Sequence, residues 1–276
     1  MNRRLQAWSL LLSFGLSALS CAAPKSGDVD RLLADLNDAH WQVRASGAEE
    51  LGRRKVERAV PALRAALVDD GMEVRAAALA SLARLGARSA LDDIRIRIRD
   101  DQDPQVVVQA LFALGAIATK DDAERYDNVD LIIGKLSEET ERVDSAARRV
   151  LFKLEGRRGI VAMIRDRLRS SSAEARIRGS RMALALNLPE LQGWQRERFD
   201  DPEPAVRRNA YESISRSPAP DQALLLNGLR DPSAAVRVAA AWGLGELASP
   251  ASVPALERAA GTDAEAAQRQ VERRRA

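Results

Sequence analysis

The sequence repeats one pattern along most of its 276 residues. Each copy has a polar residue, an anchor residue (usually Val) five positions later, and an apolar residue eight positions after the anchor. The clearest copies begin at Asp38, Asp69, Asp201 and Asp231, and weaker copies begin at Asp101, Glu138 and Ser170. The anchors are residues 43, 74, 106, 143, 175, 206 and 236, with steps of 31, 32, 37, 32, 31 and 30 residues. A period of this size is typical of solenoids, in which similar units stack side by side.

Each copy is predicted to contain two amphipathic helices. Residues 0, 4, 8 and 11 positions after the anchor share one face of a helix, which therefore buries a single apolar stripe. Another apolar-periodic stretch precedes this helix, for example at 59–67 and 223–229. The Asp between the two helices stands where an N-cap is expected, and Pro202 and Pro232 suit a first helical position. Aromatic residues are only 4% of the chain, so we expect a core of Leu, Ala, Val and Ile.

The Asp and an Arg six positions later carry a resemblance to a known family. Four copies hold both residues, as Asp38/Arg44, Asp69/Arg75, Asp201/Arg207 and Asp231/Arg237. This frame resembles the HEAT repeat, in the short bacterial form also seen in phycobilin lyases, and it covers nearly all of the chain from Val29 onward. The resemblance implies an all-α fold, a right-handed α-solenoid of about eight two-helix repeats with a period of about 31 residues.

The same resemblance implies a structural role for these Asp and Arg residues. In the family they form a ladder of hydrogen bonds between neighbouring units. Val107 and Asp144 stand where Arg is expected. The ladder is therefore predicted to be interrupted in the middle of the array.

The step of 37 residues marks an insertion at about 118–128, which is polar and is predicted to form a surface loop. Insertions in solenoids often gather on a binding face. A neutral variation in length is the alternative interpretation.

The first twenty residues have the layout of a bacterial export signal. A basic start that includes Arg3 and Arg4 precedes an apolar run from Leu5 to Leu19, and small residues follow. The run is too short for a good membrane span, which needs about 20 residues. We therefore expect a signal peptide at 1–20, a flexible tether at 21–28 and the repeat array at 29–276.

Cys21 is the only cysteine of the chain. Residues 18–21, Ala-Leu-Ser-Cys, resemble the lipobox of bacterial lipoproteins, whose cysteine becomes the acylated N-terminus. The resemblance implies a membrane anchor at Cys21. Because Ala22 rather than Asp follows, it also implies a periplasmic protein attached to the outer membrane. Simple secretion, with cleavage after Ala22 or Ala23, is the alternative.

The residues offer little for catalysis or metal binding. His40 is the only histidine, and it lacks partners at metal-ligand spacing. No serine has a usable histidine base, and no phosphate-binding glycine motif occurs. The His-Glu motifs of HEAT-like deoxyhypusine hydroxylase are also missing. We therefore expect no metal, no cofactor and no enzymatic activity.

The predicted binding surface follows from the helical periodicity. Residues six positions after each anchor should point away from the buried stripe, onto the concave face of the array. Phe112, Arg149, Arg181 and Trp242 are the predicted contacts, because Phe, Arg and Trp often dominate binding energy. Arg149 and Arg181 would suit a carboxylate-bearing partner. The alternatives place the two aromatic side chains between repeats and leave the two arginines merely solvated.

These features predict a non-enzymatic scaffold of the cell envelope that binds a protein or peptide partner. One alternative is a lyase-type enzyme related to phycobilin lyases, although the export signal fits that poorly. Another is nucleic-acid binding. The formal net charge is +3, two charges of which are Arg3 and Arg4, so the remaining chain lacks the clustered positive charge that phosphate binding needs.

Overall fold

A computed structural model describes residues 26–136, 140–191, 193, 196–217, 220–247 and 250–260. The export-signal region and Cys21 lie outside these residues. The described part of the chain contains thirteen α-helices and no β-strand. The helices are α1 (Ser26–Asp35), α2 (Trp41–Arg53), α3 (Val60–Ala65), α4 (Met72–Leu85), α5 (Leu91–Asp100), α6 (Pro104–Ile117), α7 (Arg125–Gly134), α8 (Glu141–Arg169), α9 (Ala173–Leu186), α10 (Pro204–Ser215), α11 (Gln222–Gly228), α12 (Ala234–Glu246) and α13 (Val253–Ala260).

The second helices of the repeats form the spine of the array. They are α2, α4, α6, the first part of α8, α9, α10 and α12, and each packs against the next in chain order. Every anchor residue is the third residue of its helix, from Val43 in α2 to Val236 in α12. This constant register confirms the prediction of an all-α solenoid. Helix α13 begins an eighth unit.

The buried stripe of each second helix forms the core. The anchors Val74, Val106, Val206 and Val236 have no exposed surface, and Val143 has 1%. The residues eight positions after the anchors are also buried: Leu51, Leu82, Leu114, Leu151, Ala183, Ile214 and Leu244. Burial of one such Leu or Val side chain contributes about 1.5–3 kcal/mol, so these stripes supply much of the stability. The core divides into a large cluster between Val29 and Leu191 and a smaller one between Tyr211 and Leu256.

Helix α8 is two helices joined without a loop. Gly156 inside it has φ of 70° and ψ of 155°, a conformation that is open to glycine and hardly to other residues. The part before Gly156 (141–155, here α8N) is the second helix of the fourth unit. The part after it (157–169, here α8C) is the first helix of the fifth unit.

Two predicted boundaries differ from the structure. Helix α1 begins at Ser26, so residues 26–28 are helical and do not belong to a flexible tether. Helix α7 begins at Arg125, so the predicted loop at 118–128 ends at Glu124. The connection is held in place by Asp122, whose buried carboxylate accepts hydrogen bonds from the amide and the hydroxyl of Thr119, both at 2.9 Å.

None of the helices in the described ranges combines the length and the apolar character that crossing a bilayer requires.

Candidate functional site

A ladder of Arg–Asp pairs joins neighbouring repeats along one edge of the array. Arg207 donates from Nε and Nη2 to the two carboxylate oxygens of Asp231, in the next unit, at 2.8 Å each. Its Nη1 donates to the carbonyl oxygens of Asp201 and Pro202 in its own unit, at 2.7 and 3.2 Å. The rungs are Arg44–Asp69, Arg75–Asp101, Arg176–Asp201 and Arg207–Asp231. In the last complete unit, Arg237 donates in the same way to the carbonyls of Asp231 and Pro232.

The ladder Asp does not cap its helix, and the N-cap prediction is wrong. Helices α10 and α12 begin at Pro204 and Ala234, so their N-caps are Glu203 and Ser233. The carboxylates of Asp201 and Asp231 instead accept the amides of those two cap residues, at 2.9 and 2.8 Å. This turn, closed two residues after the Asp, is an alternative to capping for Asp side chains. It leaves carboxylate lone pairs free for the incoming guanidinium.

Two of the rungs hold a carboxylate whose pKa is lowered. The Arg44 guanidinium holds the pKa of Asp69 below its usual value against the opposing effect of burial, and the Gly71 amide adds to the lowering. Burial raises the pKa of Asp231, but hydrogen bonds from Arg207 and the Ser233 amide outweigh it and leave that pKa lowered. The Arg44–Asp69 and Arg207–Asp231 rungs are therefore ion pairs at neutral pH.

The ladder is interrupted between Asp101 and Arg176 within the described residues. Val107 is completely buried in the large core cluster, and its apolar side chain cannot form a rung. Asp144 pairs with Arg148 of its own helix, with 2.7 Å between Oδ2 and Nε. Arg148 in turn donates to the carbonyl of Ala185 in α9 at 2.9 Å. The middle units are thus joined by different contacts from those at either end.

Where the ladder is interrupted, Asp130 of α7 joins α7 to α8C and α9 through two ion pairs. One oxygen of Asp130 lies 2.5 Å from Nη1 of Arg167 in α8C, and the other lies 3.0 Å from Nη1 of Arg178 in α9. Nearby, the buried Glu155 accepts from Arg125, with 2.8 Å between Oε1 and Nε. Sequence reasoning missed these pairs, because nothing in the repeat frame marks them.

The residues six positions after the anchors lie at the surface, as the helical periodicity requires. None of the seven (Glu49, Ala80, Phe112, Arg149, Arg181, Glu212 and Trp242) is buried. Phe112 and Trp242 each expose 37% of their surface, so neither is enclosed between repeats.

Phe112 and Arg149 meet in one groove. The Arg149 guanidinium carbon lies 5.8 Å from the centroid of the Phe112 ring, within the range of a cation–π interaction. The groove, here the α6–α8 groove, has a volume of about 400 Å³ and runs between α6 and α8N. It is lined by Val108, Phe112, Glu141, Arg142, Ser145, Ala146 and Arg149.

The other two predicted contacts lie elsewhere. Arg181 lines a separate cavity of about 630 Å³, here the central cleft, which α5, α7 and α9 form together with the end of the 118–124 connection. Trp242 lies on α12 and lines neither cavity. The structure therefore groups two of the four predicted residues. The central cleft could not be predicted from the sequence, because its walls come from helices that are not consecutive in the chain.

His40 lies on the surface at the N-cap of α2. Its amide donates to Asp38 Oδ1 at 2.7 Å, and its ring Nδ1 lies 3.1 Å from the same oxygen. Within the described ranges, no three His, Cys, Asp or Glu residues are arranged to hold a metal ion.

Solved structures similar to this chain show low sequence identity. Human deoxyhypusine hydroxylase in complex with glycerol is 18% identical, with 90% of this chain and 96% of that chain covered and a TM-score of 0.39. The complex of CpcE and CpcF of phycocyanin lyase from Nostoc is 18% identical over 96% and 100%, with a TM-score of 0.41. Kap95p, from a structure of its binding to RanGDP, is 13% identical over 86% and 39%, with a TM-score of 0.44.

No curated protein matches the chain significantly. A family model of HEAT repeats matches residues 29–115 and 191–273, which is more than half of the sequence. The chain belongs to the HEAT-repeat family.

Proposed function

We propose that this chain is a non-enzymatic scaffold of the bacterial cell envelope, which binds a segment of a protein partner in the α6–α8 groove. The observation that carries the proposal is the pairing of an exposed aromatic ring, Phe112, with an exposed guanidinium, Arg149, in one open groove. Phe and Arg side chains can each supply a large part of a binding free energy when a partner covers them.

The charges of the groove favour a partner with both an apolar and an acidic group. Arg149 has no carboxylate partner among the described residues, so its donors remain available for a carboxylate. Val108, half-buried, and Ala146, buried, supply apolar wall next to the Phe112 ring. A partner segment with an apolar side chain packed on Phe112 and a neighbouring Asp or Glu bound to Arg149 would match both the apolar wall and the free donors of the groove.

Site-specific crosslinking tests this proposal in intact cells. A photo-reactive residue in place of Phe112 should give a discrete covalent adduct, while the same residue in place of Ile96 should not. Ile96 is a matched control because it is 39% exposed and lies on the first helix α5, outside the groove.

Substitution tests the same groove with the partner so identified. Phe112→Ala combined with Arg149→Ala should weaken capture by about thirtyfold or more, the loss expected for a binding hot spot. Trp242→Ala should weaken it only if the partner extends along the array to α12. Equal adducts at positions 112 and 96, or full capture by the double variant, would exclude the groove.

We further propose that Cys21 anchors the chain to the outer membrane as a lipidated N-terminus. The support comes from the sequence alone, since Cys21 lies outside the described residues. Metabolic labelling with a palmitate analogue should mark the wild-type chain and leave Cys21→Ala unlabelled and released from membranes. A labelled Cys21→Ala chain would show that the lipid is not attached at Cys21, and an unlabelled soluble wild type would show that the chain is simply secreted.

A further inference from the structure

We infer that the central cleft is a second binding site, which takes a carboxylate-bearing segment of a protein. This inference rests on the proposed scaffold function, because it specifies the chemistry of a partner. It depends on other residues than the α6–α8 groove, however, and can therefore fail separately. The cleft has a volume of about 630 Å³, which lies within the usual range for ligand sites.

Most of the charges in the cleft neutralise one another. Arg95 of α5 lies 2.5 Å from Oδ1 of Asp92 and donates to the side-chain oxygen of Asn128 at 2.8 Å. Arg178 of α9 bonds to Asp130 and Glu174, at 3.0 Å each. These five ionic side chains hold the walls of the cleft in place and have little charge left to offer a ligand.

Two guanidiniums in the cleft are not neutralised. Arg99 of α5 and Arg181 of α9 are exposed, and neither has a hydrogen bond or ion pair with the described part of the chain. They lie on two different helices that line the same cavity. A carboxylate between them could accept donors from both walls, and charge-assisted bonds of this kind are the stronger ones.

Arg95 adds an unused donor. Its Nη2 is buried and makes no hydrogen bond, and the carboxylate oxygen of Glu124 lies 3.6 Å away, beyond hydrogen-bonding distance. A buried donor without an acceptor costs free energy, so an oxygen atom brought within reach would be favoured there. Arg95 lines the cleft together with Arg99 and Arg181.

The remaining groups indicate a peptide carboxylate in preference to a phosphate. Asp127 and Glu124 also line the cleft, and they would repel a doubly charged phosphate or a nucleic acid more strongly than a single carboxylate. Leu131, Ile177 and Met182 supply apolar surface beside the charged groups. A segment in which Glu or Asp neighbours an apolar residue matches both features.

The cleft lies where the ladder of Arg–Asp rungs is interrupted. No Arg–Asp rung joins the units on either side, since Val107 and Asp144 replace the ladder arginines. In their place Asp130 ties α7 to α9 through Arg178. Helix α9, the second helix of its unit, is thereby held against α7, the first helix of an earlier unit. Helix α5 forms the remaining wall of the cavity.

Direct titration of the full chain tests the site. A fluorescent peptide of sequence Gly-Glu-Leu-Glu-Gly should bind at least about tenfold more tightly than its Gly-Gln-Leu-Gln-Gly analogue, because charge-assisted bonds are lost with the carboxylates. Arg99→Gln combined with Arg181→Gln should weaken binding of the acidic peptide by a similar factor. The matched pair Arg84→Gln and Arg230→Gln, also exposed arginines, should leave it unchanged.

Three results would overturn the inference. The first is equal affinity for the two peptides. The second is unchanged binding by the Arg99→Gln, Arg181→Gln variant, provided that its circular dichroism matches the wild type. The third is displacement of the peptide by millimolar inorganic phosphate. The Phe112→Ala, Arg149→Ala variant separates the two proposals. It should still bind the acidic peptide, whereas loss of binding there would place the peptide in the α6–α8 groove.

Discussion

Arg44 and Asp69 form a two-pronged ion pair between consecutive repeats. Nε and Nη2 of the arginine lie 2.7 and 2.8 Å from the two oxygens of the carboxylate, while its Nη1 donates to the carbonyls of Asp38 and Ala39 at 3.0 and 3.1 Å. One planar guanidinium thus fixes the turn of its own unit to the turn of the next. The stability of each unit is therefore coupled to that of its neighbour, as expected for a linear array.

Removal of one rung should destabilise the array markedly. The Arg207 and Asp231 side chains are only 11% and 8% exposed, so Arg207→Ala takes both guanidinium donors from a nearly buried carboxylate and the same side-chain donor from two carbonyls. Breaking a buried pair by removal of one partner costs about 3–5 kcal/mol. We expect a loss at the lower end of this range, measured by urea unfolding followed by circular dichroism.

Arg230→Ala provides the control for this rung. Arg230 is exposed and lies one residue before Asp231. Its replacement should change the free energy of unfolding by no more than about 0.5 kcal/mol, as is usual for surface positions. Similar losses for the two variants would mean that the ladder contributes no more than general surface charge.

The ladder should also make stability depend on acid pH. Arg44 and the Gly71 amide lower the pKa of Asp69 in the folded state against the effect of burial, so folding favours the ionised carboxylate. The stabilisation is therefore fully present above the unfolded pKa of about 4 and is lost as the pH falls below it. The melting temperature should fall between about pH 5 and pH 3, and should fall less in Asp69→Asn.

The exposed Asp100 serves as the control for the pH series. Its side chain makes no contact comparable to that of Asp69, so Asp100→Asn should follow the wild-type acid curve. If Asp69→Asn followed the same curve as well, the acid sensitivity would have to come from other carboxylates.

The repeat could be predicted from the sequence because its determinants are local. The apolar stripe and the anchor residue recur within one helix, and all seven anchors occupy the same third helical position. The pairing of Asp with Arg was available only through the resemblance to HEAT repeats. The sequence could not distinguish an Asp that closes a turn, as Asp201 does, from an Asp that caps a helix, since both stand shortly before a helix.

The candidate sites depend on geometry that the sequence does not display. Helical periodicity placed Phe112 and Arg149 at the surface, and the stacking of α6 on α8N then brings them together. The same periodicity could not show that Arg181 and Arg99 line one cleft. That arrangement depends on how α5, α7 and α9 come together, with α7 and α9 joined by the Asp130–Arg178 pair.

Close packing between second helices requires a glycine at one crossing point. A Cβ atom on Gly52 of α2 would lie 2.6 Å from the Cα of Ser81 in α4, and closer still to the Ser81 side chain. Gly52→Ala should therefore force the two helices apart and destabilise the array by about 1–3 kcal/mol, the usual cost of overpacking. Thermal unfolding by circular dichroism would measure the loss.

Two further variants make this prediction specific. Ser81→Gly in the Gly52→Ala background should recover part of the loss, although it removes the hydrogen bond from Ser81 Oγ to the Ala48 carbonyl. Gly134→Ala in α7 should be harmless, because nothing lies within 4 Å of a Cβ there. A loss for Gly134→Ala equal to that for Gly52→Ala would mean that the close approach of α2 and α4 at Gly52 is not the cause of the destabilisation.

The kink in α8 should be sensitive to the loss of its glycine for a different reason. A Cβ on Gly156 would meet no atom within 4 Å, so any cost of Gly156→Ala comes from the backbone, whose φ of 70° and ψ of 155° suit glycine almost alone. We expect a loss of about 1–3 kcal/mol in urea unfolding. Gly159→Ala, three residues later and with only ordinary contacts to Glu155, should instead be neutral or stabilise the helix by up to about 1 kcal/mol. A Gly156→Ala chain as stable as the wild type would show that α8N and α8C can join in another conformation at no cost.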